Sequence, residues 1–467
     1  MPSRPGHRAA VCWAAMCALL LAITPALGAE LEAGAAKVKI TPPTPFWMSG
    51  YAARTHKSEG VLQDLWARAL AVRDPEGKRV VFVSTDLIGL SRALSADVTA
   101  RARERFGLEP SEIVLNSSHT HCGPVVWQNL PVLLDLGAED QREVEGYGRQ
   151  LADRLLDVIG DALAGLAPAR LAAGHGSVGF AVNRRVPTPE GYRGGVNPDG
   201  PVDHDVPVVR VAAPDGSLRA VLFGYACHNT TLRGDVYQVN GDYAGQAQDA
   251  LERAHPGATA LFFMLCGGDQ NPHPRGTLQR ARQHGHALAA EVERVMGARL
   301  DPVRSPIRTA LEEISLDFVP HTRAGFEEEA RHPDPYRQRR ARRMLAAYDQ
   351  DRPVLRTPYP VQAVRFSRDL VLLALGGEVV VDYATRLKRE FPGENLIVAG
   401  YSRDVMGYIP SRRVLREGGY EAVDSMIYYG QPGPFQESVE ETIVATVGRV
   451  LEAVGALPRV VVERSRE

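Results

Sequence analysis

The chain has few cysteines, a balanced charge and, beyond its first residues, no apolar run long enough to cross a membrane. Five cysteines in 467 residues exclude a disulfide-dense scaffold. With 54 basic and 56 acidic side chains, the chain lacks the basic excess that nucleic-acid-binding proteins usually carry. Neither internal repeats nor long low-complexity tracts are visible. Its apolar content, 44%, is ordinary for a globular protein and sufficient for a sizeable core.

The first residues have the composition of a secretory signal peptide. Arg4 and Arg8 precede an apolar run over residues 9–21, and small residues follow near residues 25–29. A basic start, a short apolar centre and a small-residue cleavage site predict a signal peptide over residues 1–28. We therefore expect a secreted or periplasmic protein with no transmembrane segment in its mature chain. An uncleaved N-terminal anchor is the alternative.

Strand-like and helix-like segments alternate along the rest of the chain. This alternation predicts an α/β fold, with a layered, mixed β-sheet core, flanking helices and an active site at the strand ends. We expect one catalytic domain over residues 29–467, with a sub-boundary near residues 300–310. The predicted strands cover residues 33–41, 80–84, 113–115, 206–211, 220–225, 258–265, 361–366, 370–375 and 396–399. The predicted helices cover residues 90–106, 141–166, 243–254, 277–296, 379–390 and 436–454.

Two segments interrupt the alternation. Residues 187–205 are rich in proline, glycine and aspartate, and they predict a long surface loop of the kind that borders binding sites. Residues 322–352 are heavily charged and predict a solvated helical insertion. A lid over the site is the alternative for this second segment.

The most informative motif is residues 116–124, NSSHTHCGP, which follows the apolar run of residues 112–115. His119 and His121 are two positions apart, so they point to the same side if the backbone stays extended. Such a pair can ligate a metal, or one imidazole can ligate while the other acts on a substrate. Two loop histidines at a polar surface are the alternative.

Two further polar residues follow predicted buried strands. His228 ends the apolar run that begins at residue 221, and Glu378 follows the strand 370–375 and two glycines. A buried carboxylate needs a partner, and a metal ion is one such partner; a favourable charge at a helix start is the alternative. Because functional groups in α/β folds gather at strand ends, His119, His228 and Glu378 together suit a zinc site with an open position for water.

Two turns add polar groups to the same edge of the predicted sheet. Residues 240–245, NGDYAG, contain Asp242, which can cap the following helix or orient a metal-ligating histidine. Residues 267–272, GGDQNP, place Asp269 and Asn271 at the rim, and the glycines let the backbone pass close to a ligand.

With these motifs the chain resembles the neutral/alkaline, non-lysosomal ceramidase family, specifically its N-terminal catalytic domain. The similarity extends from residue 40 to about residue 430. The resemblance implies an amidase that uses one zinc ion to cleave an N-acyl bond, in ceramide or in a related lipid or small-molecule N-acyl amide. It is carried by residues 48–52 (MSGYA), residues 116–124, the strand end at His228, residues 240–242 (NGD), residues 268–269 (GD), residues 377–378 (GE), Tyr408 and Tyr420.

By position, the resemblance implies that His119, His228 and Glu378 are zinc ligands and that Tyr408 also reaches the zinc. The zinc ion would lower the pKa of a bound water, which would attack the carbonyl carbon of the amide. For Tyr408, core packing with a satisfied hydroxyl is the alternative. One zinc ion is therefore the expected cofactor.

The resemblance implies further that His121, Tyr420 and Arg184 hold the substrate and its developing charge. Zinc with Tyr420 or His121 would stabilise the oxyanion, and His121 would donate a proton to the leaving amine. Arg185 is a rival for the role of Arg184. Asn271 stands where the family has a serine that positions substrate, and its carboxamide could suit a more polar head group. Ceramidases of this type usually carry a further C-terminal β-domain, and we expect no counterpart of it here.

Three other functions stay open from the residues alone. A cysteine hydrolase would use Cys122 or Cys227 with a nearby histidine. A different zinc or two-metal hydrolase would act on esters or phosphates. A non-catalytic secreted binding protein would keep the fold without the reaction.

Overall fold

The structure, a computed structural model, describes Met1 and residues 31–456. Apart from Met1, the predicted signal peptide lies outside the described residues, so its prediction is untested by the fold. Within residues 31–456, no helix combines the length and the apolar content that a membrane span requires.

Helices and strands alternate along the described chain, as the sequence predicts. In chain order the strands are β1 (Glu32–Lys39), β2 (Gly60–Val61), β3 (Trp66–Arg73), β4 (Arg79–Thr85), β5 (Ile113–Ser117), β6 (Ala167–Pro168), β7 (Arg170–Ser177), β8 (Ala181–Thr188), β9 (Gly191–Asn197), β10 (Asp205–Ala212), β11 (Leu218–Tyr225), β12 (Gln238–Val239), β13 (Thr259–Met264), β14 (Gln270–Pro272), β15 (Asp301–Val303), β16 (Ile307–Asp317), β17 (Arg356–Phe366), β18 (Leu370–Leu375), β19 (Glu378–Val379), β20 (Leu396–Ala399) and β21 (Tyr408–Ile409). The helices are α1 (Arg92–Phe106), α2 (Ala138–Ala164), α3 (Asp242–Ala254), α4 (Leu278–Met296), α5 (Arg323–Glu329), α6 (Pro335–Asp349), α7 (Val381–Glu390), α8 (Arg412–Glu417) and α9 (Val439–Ala453).

Three of the sheets share one topology, with strand orders β5-β4-β3-β1-β6, β13-β11-β10-β7-β15 and β20-β18-β17-β16. In each sheet, antiparallel strands lead into a crossover whose two strands are parallel, namely β4-α1-β5, β11-α3-β13 and β18-α7-β20. A further helix follows each crossover: α2, α4 and α9. We call these the first unit (residues 32–164), the second unit (170–296) and the third unit (307–453). No repeat is visible in the sequence, because unrelated apolar side chains satisfy the same pattern of strands and helices.

The inner faces of the three sheets meet in one shared apolar core. Phe82 of the first unit lies between Phe263 of the second, at 6.2 Å between ring centroids, and Phe366 of the third, at 6.3 Å. The outer face of each sheet is covered by its own pair of helices. Because Phe82 is 4% exposed, its replacement by alanine should cost about 3–5 kcal/mol.

Asn116, at the end of β5, joins the three units beside the strand ends. Its carboxamide oxygen accepts a hydrogen bond from the Met264 backbone N–H at 2.8 Å. Its Nδ2 donates to the Gly400 carbonyl at 2.8 Å and to the Ser402 hydroxyl at 3.2 Å. A fully buried amide with these partners fixes the relative positions of three strand ends. The site described below lies at this junction.

Several predicted segments differ from the structure. Residues 187–205 do not form one loop, because β8 and β9 pair as an antiparallel arm that continues to residue 197. β3 was not predicted, since its sequence WARALAVR is rich in alanine and arginine, which favour helices. The helical insertion is confirmed as α5 and α6. The Tyr336 hydroxyl of α6 donates to the Ala52 carbonyl, so the insertion contacts the mouth of the site.

Candidate metal centre

Three loops at the shared edge of the units carry the predicted ligands. His119 follows β5, His228 follows β11, and Glu378 follows β18 and begins β19. All three side chains are buried. β19 pairs in parallel with β21, and this register places Glu378 directly beside Tyr408. The structure therefore brings together residues that lie up to about three hundred positions apart, as strand ends in an α/β fold allow.

Backbone carbonyls orient the two imidazoles. His119 Nδ1 lies 2.6 Å from the Ile88 carbonyl oxygen, and His228 Nδ1 lies 2.8 Å from that of Gly267. A carbonyl only accepts hydrogen bonds, so each Nδ1 carries the hydrogen and each Nε2 of a neutral ring presents a lone pair. These are the outer contacts that metal-ligating histidines usually make.

The donor set at the centre of the site fits a divalent cation. Glu378 Oε2 lies 3.0 Å from His119 Nε2 and 2.9 Å from His228 Nε2. Burial lowers the pKa of His228 to about 4, so its neutral ring turns a lone pair toward a carboxylate oxygen. Lone pairs meeting in a buried site need a cation between them. Nitrogen and carboxylate oxygen are ligands that zinc prefers.

Tyr408 stands next to this group, and Arg184 holds its hydroxyl. The Tyr408 oxygen lies 3.1 Å from His228 Nε2, and Arg184 Nη2 donates to it at 2.9 Å. Arg184 Nε donates to Glu421 at 2.7 Å, so its charge is paired. Burial raises the pKa of Tyr408, and the Arg184 guanidinium acts in the opposite direction. The phenol is positioned to reach the same centre as the imidazoles and the carboxylate.

His121 reaches the centre although the backbone is not extended, so the two imidazoles do not meet through the alternation of a strand. His119 has φ +63°, because its N–H turns to bond the Leu87 carbonyl. His121 Nε2 nevertheless lies 3.0 Å from His119 Nε2. Among the described residues its Nδ1 has no hydrogen-bond partner. Gly50 packs against the ring so closely that a Cβ there would lie 2.5 Å from Nδ1. Of the buried histidines His119, His121 and His228, whose nitrogens lie within 4.8 Å of one another, only His121 lacks a backbone anchor.

The remaining predicted residues lie at different distances from the centre. Tyr420 is 39% exposed and lines the cavity above the centre. The Arg184 guanidinium lies between two rings, 5.3 Å from that of Tyr408 and 5.6 Å from that of Tyr420. Asn271 accepts a hydrogen bond from Arg184 at 3.4 Å and contacts the site through that arginine. Arg185, the rival of Arg184, is instead held by ion pairs with acidic residues of the neighbouring loop, Glu417 and Glu421.

Two tyrosines that the sequence analysis did not assign hold Glu378. The Tyr429 hydroxyl donates to Glu378 Oε1, and the Tyr401 hydroxyl lies 3.4 Å from Oε2. Tyr401 comes two residues after the predicted strand 396–399, so its position at a strand end was an available signal. Tyr429 follows a short 3₁₀ turn, and no strand pattern precedes it.

Asp242 does not orient a histidine, which corrects the second of its two predicted roles. Its carboxylate accepts hydrogen bonds from the backbone N–H groups of Leu232 at 2.8 Å and Tyr243 at 2.6 Å. It begins α3 with φ +52° and is fully buried. Asp242 therefore fixes the loop that follows His228, while a backbone carbonyl orients the imidazole itself.

A cavity of about 180 Å³ opens over the centre and is lined by His119, His121, Glu378 and five tyrosines, including Tyr420. A second cavity of about 290 Å³ adjoins it, and Leu130 and Leu133 line both. The second cavity is lined by apolar side chains of residues 125–136, in the loop before α2, and also by polar side chains. Together the two cavities can take a polar group at the centre and an apolar chain beside it.

Comparison with known proteins identifies the family. The model of the neutral/alkaline non-lysosomal ceramidase family, N-terminal, matches residues 31–283, more than half of the chain. The chain belongs to this family. The sequence is 26% identical to neutral ceramidase of Pseudomonas aeruginosa over 241 residues, 48% of this chain and 34% of that protein. Neutral ceramidase A of Dictyostelium discoideum is 26% identical over 252 residues, 49% of this chain and 34% of that protein. The matched region thus spans about a third of the length of these curated relatives.

Solved ceramidase structures share the fold. A structure described as a ceramidase complexed with C2 superposes with a TM-score of 0.72, covering 92% of this chain and 76% of that chain at 18% identity. The neutral ceramidase structure from Pseudomonas aeruginosa gives 0.70, with 92% of this chain and 75% of that chain at 18% identity. The predicted α/β fold and the predicted family are confirmed. The structural match extends well beyond residue 283, where the family model ends.

The cysteines of this ceramidase-family chain lack the surroundings of a nucleophile. Cys122 and Cys227 are fully buried. Burial raises the pKa of Cys122 to about 12 and raises that of Cys227 as well. A reactive cysteine needs a lowered pKa and access to its substrate. Burial therefore argues against a cysteine hydrolase, and both side chains pack as small apolar groups.

Proposed function

We propose that this chain hydrolyses the amide bond of an N-acyl amide, ceramide or a related molecule, with a zinc ion held by His119, His228 and Glu378. The observation that supports it most is that two lone-pair nitrogens each lie within 3.0 Å of the same carboxylate oxygen, under an open cavity. Family membership supports the reaction class. The matched region covers about a third of the length of the curated relatives. We therefore propose both the activity and the substrate, and we do not transfer them from those relatives.

The protein holds the ion with fixed groups. The hydrogen bonds from the Nδ1 atoms to the carbonyls of Ile88 and Gly267 set the ring orientation. Glu378 supplies a negative charge, and the Tyr429 hydroxyl fixes its second oxygen. A bound zinc ion would supply a water of lowered pKa and would polarise the substrate carbonyl. Burial of the ligands excludes competing water from all but the cavity side.

Tyr408 and Tyr420 face the position of the substrate carbonyl, and we assign Arg184 to positioning them. The three outer nitrogens of Arg184 are engaged, with Glu421, Tyr408 and Asn271. These three hydrogen bonds fix the guanidinium, so that it aligns the Tyr408 hydroxyl. Fixed donors of this kind stabilise charge that develops in the transition state. Asn271, in place of the family's serine, then acts on the substrate through Arg184.

His121 is the group best suited to take a proton from the attacking water and to give it to the leaving amine. Its Nε2 is at the centre, while its Nδ1 has no anchor within the described part of the chain. An unanchored ring can change its hydrogen-bond partner during the reaction, which a ligand held by a backbone carbonyl cannot do without loss of its bond. His119 and His228 are therefore the ligands, and His121 is the proton donor.

The test combines metal analysis with a substrate panel. The purified protein should contain close to one zinc per chain and hydrolyse N-acyl amides in a panel of ceramide, N-acyl amino acids, carboxylic esters and phosphate esters. Chelation should abolish the activity, zinc should restore it, and thiol alkylation should leave it unchanged. Hydrolysis of esters or phosphates alone would favour the other zinc-hydrolase class, and activity that survives complete chelation would contradict the proposal.

A pair of variants separates the two histidine roles. His121→Ala should keep its zinc and lose turnover, whereas His119→Ala should lose both. Zinc lost equally from the two variants would make His121 a third ligand. Export remains a prediction from residues 1–28, and N-terminal sequencing of the mature protein from a bacterial host checks it.

A further inference from the structure

A third cavity, of about 230 Å³, lies at the opposite end of the third unit's sheet, and its lining includes Arg308, Arg365 and Arg368. The turn between β17 and β18 forms one wall, and Gly455, after α9, forms another. β18 runs from this cavity toward the loop of Glu378. Its length places the two sites roughly 20 Å apart. The cavity is therefore separate from the candidate metal centre.

Two of these arginines are direct neighbours across the sheet. Arg308 of β16 and Arg365 of β17 are register partners in an antiparallel pair, so their side chains leave the same face. Both guanidinium groups converge on Gly455, where a Cβ would lie 2.8 Å from Arg308 Nη1 and 3.6 Å from Arg365 Nη1. Like charges directly opposite each other destabilise a sheet. A negative charge beside the pair would offset this repulsion.

The described residues supply only part of that charge. Glu394 pairs with Arg365 at 3.0 Å. Within residues 31–456, no carboxylate forms an ion pair with Arg308 or Arg368, and the nearby Asp369 is engaged by Arg304 at 3.1 Å. The C-terminal carbonyls of α9 contribute a partial negative charge of about half a unit. Three guanidinium groups therefore face one carboxylate and a helix end.

Arg365 also has an unused donor. Its side chain is 5% exposed, and its Nε has no hydrogen-bond partner among the described residues. A buried N–H left without a partner is costly. We propose that this cavity binds an oxyanion of the phosphate type, held by the guanidinium groups of Arg308, Arg365 and Arg368. Arginine forks match the geometry of phosphate oxygens and are well suited to such a ligand.

Titration with inorganic phosphate tests the site directly. The whole protein is titrated with sodium phosphate against sodium chloride at equal ionic strength, and binding is followed by calorimetry and by thermal unfolding. We expect saturable binding and a rise in unfolding temperature with phosphate alone. Arg308→Gln and Arg368→Gln should each weaken binding by about tenfold or more. Arg389→Gln, which removes an exposed arginine of α7 outside the cavity, is the matched control and should bind like the parent.

Arg308→Gln carries a second signature. Without phosphate its unfolding temperature should equal or exceed that of the parent, because the like-charge pair is gone, and added phosphate should no longer raise it. Phosphate effects that are equal in the parent, Arg308→Gln and Arg389→Gln would show general screening and overturn the site. Loss of stability in Arg308→Gln without phosphate would overturn the argument from repulsion.

Two further binding experiments distinguish the possible sources of the oxyanion. Glycerol 3-phosphate competing with inorganic phosphate would indicate a small soluble phosphate ester. Arginine-dependent sedimentation with phosphatidylcholine vesicles that contain phosphatidic acid, and not with phosphatidylcholine alone, would indicate a lipid headgroup. Absence of binding in every arm would overturn the proposal. Metal content and amide hydrolysis are unaffected in either case, so failure here leaves the proposed function untouched.

Discussion

The second and third units deliver different side chains from the same place in the same topology. His228 comes three residues after Tyr225, the last residue of β11, and Glu378 comes three residues after Leu375, the last residue of β18. Each of these strands is the first of its crossover. One loop nevertheless presents a neutral imidazole and the other a carboxylate. The topology determines where a ligand stands, and the neighbours of each loop determine its charge.

Those neighbours differ in kind. In the second unit, the Gly267 carbonyl accepts from His228 Nδ1, and burial lowers the pKa of the ring to about 4. In the third unit, phenol hydroxyls face the carboxylate of Glu378, from Tyr429 and Tyr401. Burial keeps the imidazole neutral, and the hydroxyl donors beside the carboxylate favour its negative form. Neutral imidazoles combined with one carboxylate suit a divalent cation.

The largest expected effect comes from the loop of the second unit. His228→Ala removes a nitrogen ligand, so metal content should fall to background and amide hydrolysis by about 10³-fold or more. Metal analysis and turnover of the same preparation check it. His175→Ala, a histidine of the same unit remote from the centre, is the control and should keep its metal. A full complement of metal in His228→Ala would show that His228 is not a metal ligand.

A smaller effect is expected from the equivalent loop of the third unit. Glu378→Gln keeps the shape of the side chain and removes its charge. Metal affinity should fall by more than the about 100-fold that outer contacts contribute, as measured by competition with a chromophoric chelator. Glu390→Gln, on the surface of the same unit, is the control. Unchanged affinity in Glu378→Gln would mean that the charge difference between the two loops has no role in metal binding.

The hydroxyl of Tyr429 tests whether the donors around Glu378 contribute to metal binding. Tyr429→Phe deletes the hydroxyl that donates to Glu378, so metal affinity should fall about 10–100-fold. The site should still fill when metal is in excess. Tyr359→Phe is a matched control in the same unit, because its hydroxyl is buried and has no partner among the described residues. Equal effects of the two substitutions would mean that Tyr429→Phe acts through a general loss of packing and not through its contact with Glu378.

The smallest effect concerns the contact between the two units. His175 Nδ1 bonds Asp205 at 2.8 Å, and Nε2 bonds Asn395 of the third unit at 2.6 Å. The Asp205 hydrogen bond raises the pKa of His175, so the folded protein holds that proton more tightly than the unfolded chain. This contribution is fully present below the unfolded pKa of about 6.5 and is lost as pH rises through the folded value.

His175→Ala should therefore lower the free energy of unfolding at about pH 5.5 and by less at about pH 8.5. The effect should stay below about 1 kcal/mol, because the imidazole is 37% exposed and its ion pair is screened. Denaturant unfolding at the two pH values measures it. An equal loss at both would mean that the contact is unaffected by protonation.

The sequence predicts the strand-end position of the histidines and the glutamate, because each follows a strongly apolar run. It predicts the helices closely, as α4 and α9 illustrate. It does not reveal the three units, since their likeness lies in topology and not in side chains. It also misses the conformation at His119, whose left-handed backbone depends on a hydrogen bond to Leu87.

The contacts of the charged and phenolic groups are the least predictable part. Arg184 and Arg185 are adjacent and chemically alike, and the sequence leaves them as rivals. In the structure Arg184 contacts Tyr408, whereas the Arg185 guanidinium contacts acidic residues, a backbone carbonyl and the ring of Tyr192. Tyr429 reaches Glu378 from 51 residues away. Such pairings depend on the folded arrangement of the third unit and have no local pattern.

X-ray diffraction from zinc-loaded crystals, collected on both sides of the zinc absorption edge, tests the metal centre most directly. We predict one anomalous peak per chain, within bonding distance of His119 Nε2, His228 Nε2 and a carboxylate oxygen of Glu378, with Tyr408 adjacent. A peak elsewhere, or none at full zinc occupancy in solution, would contradict the account.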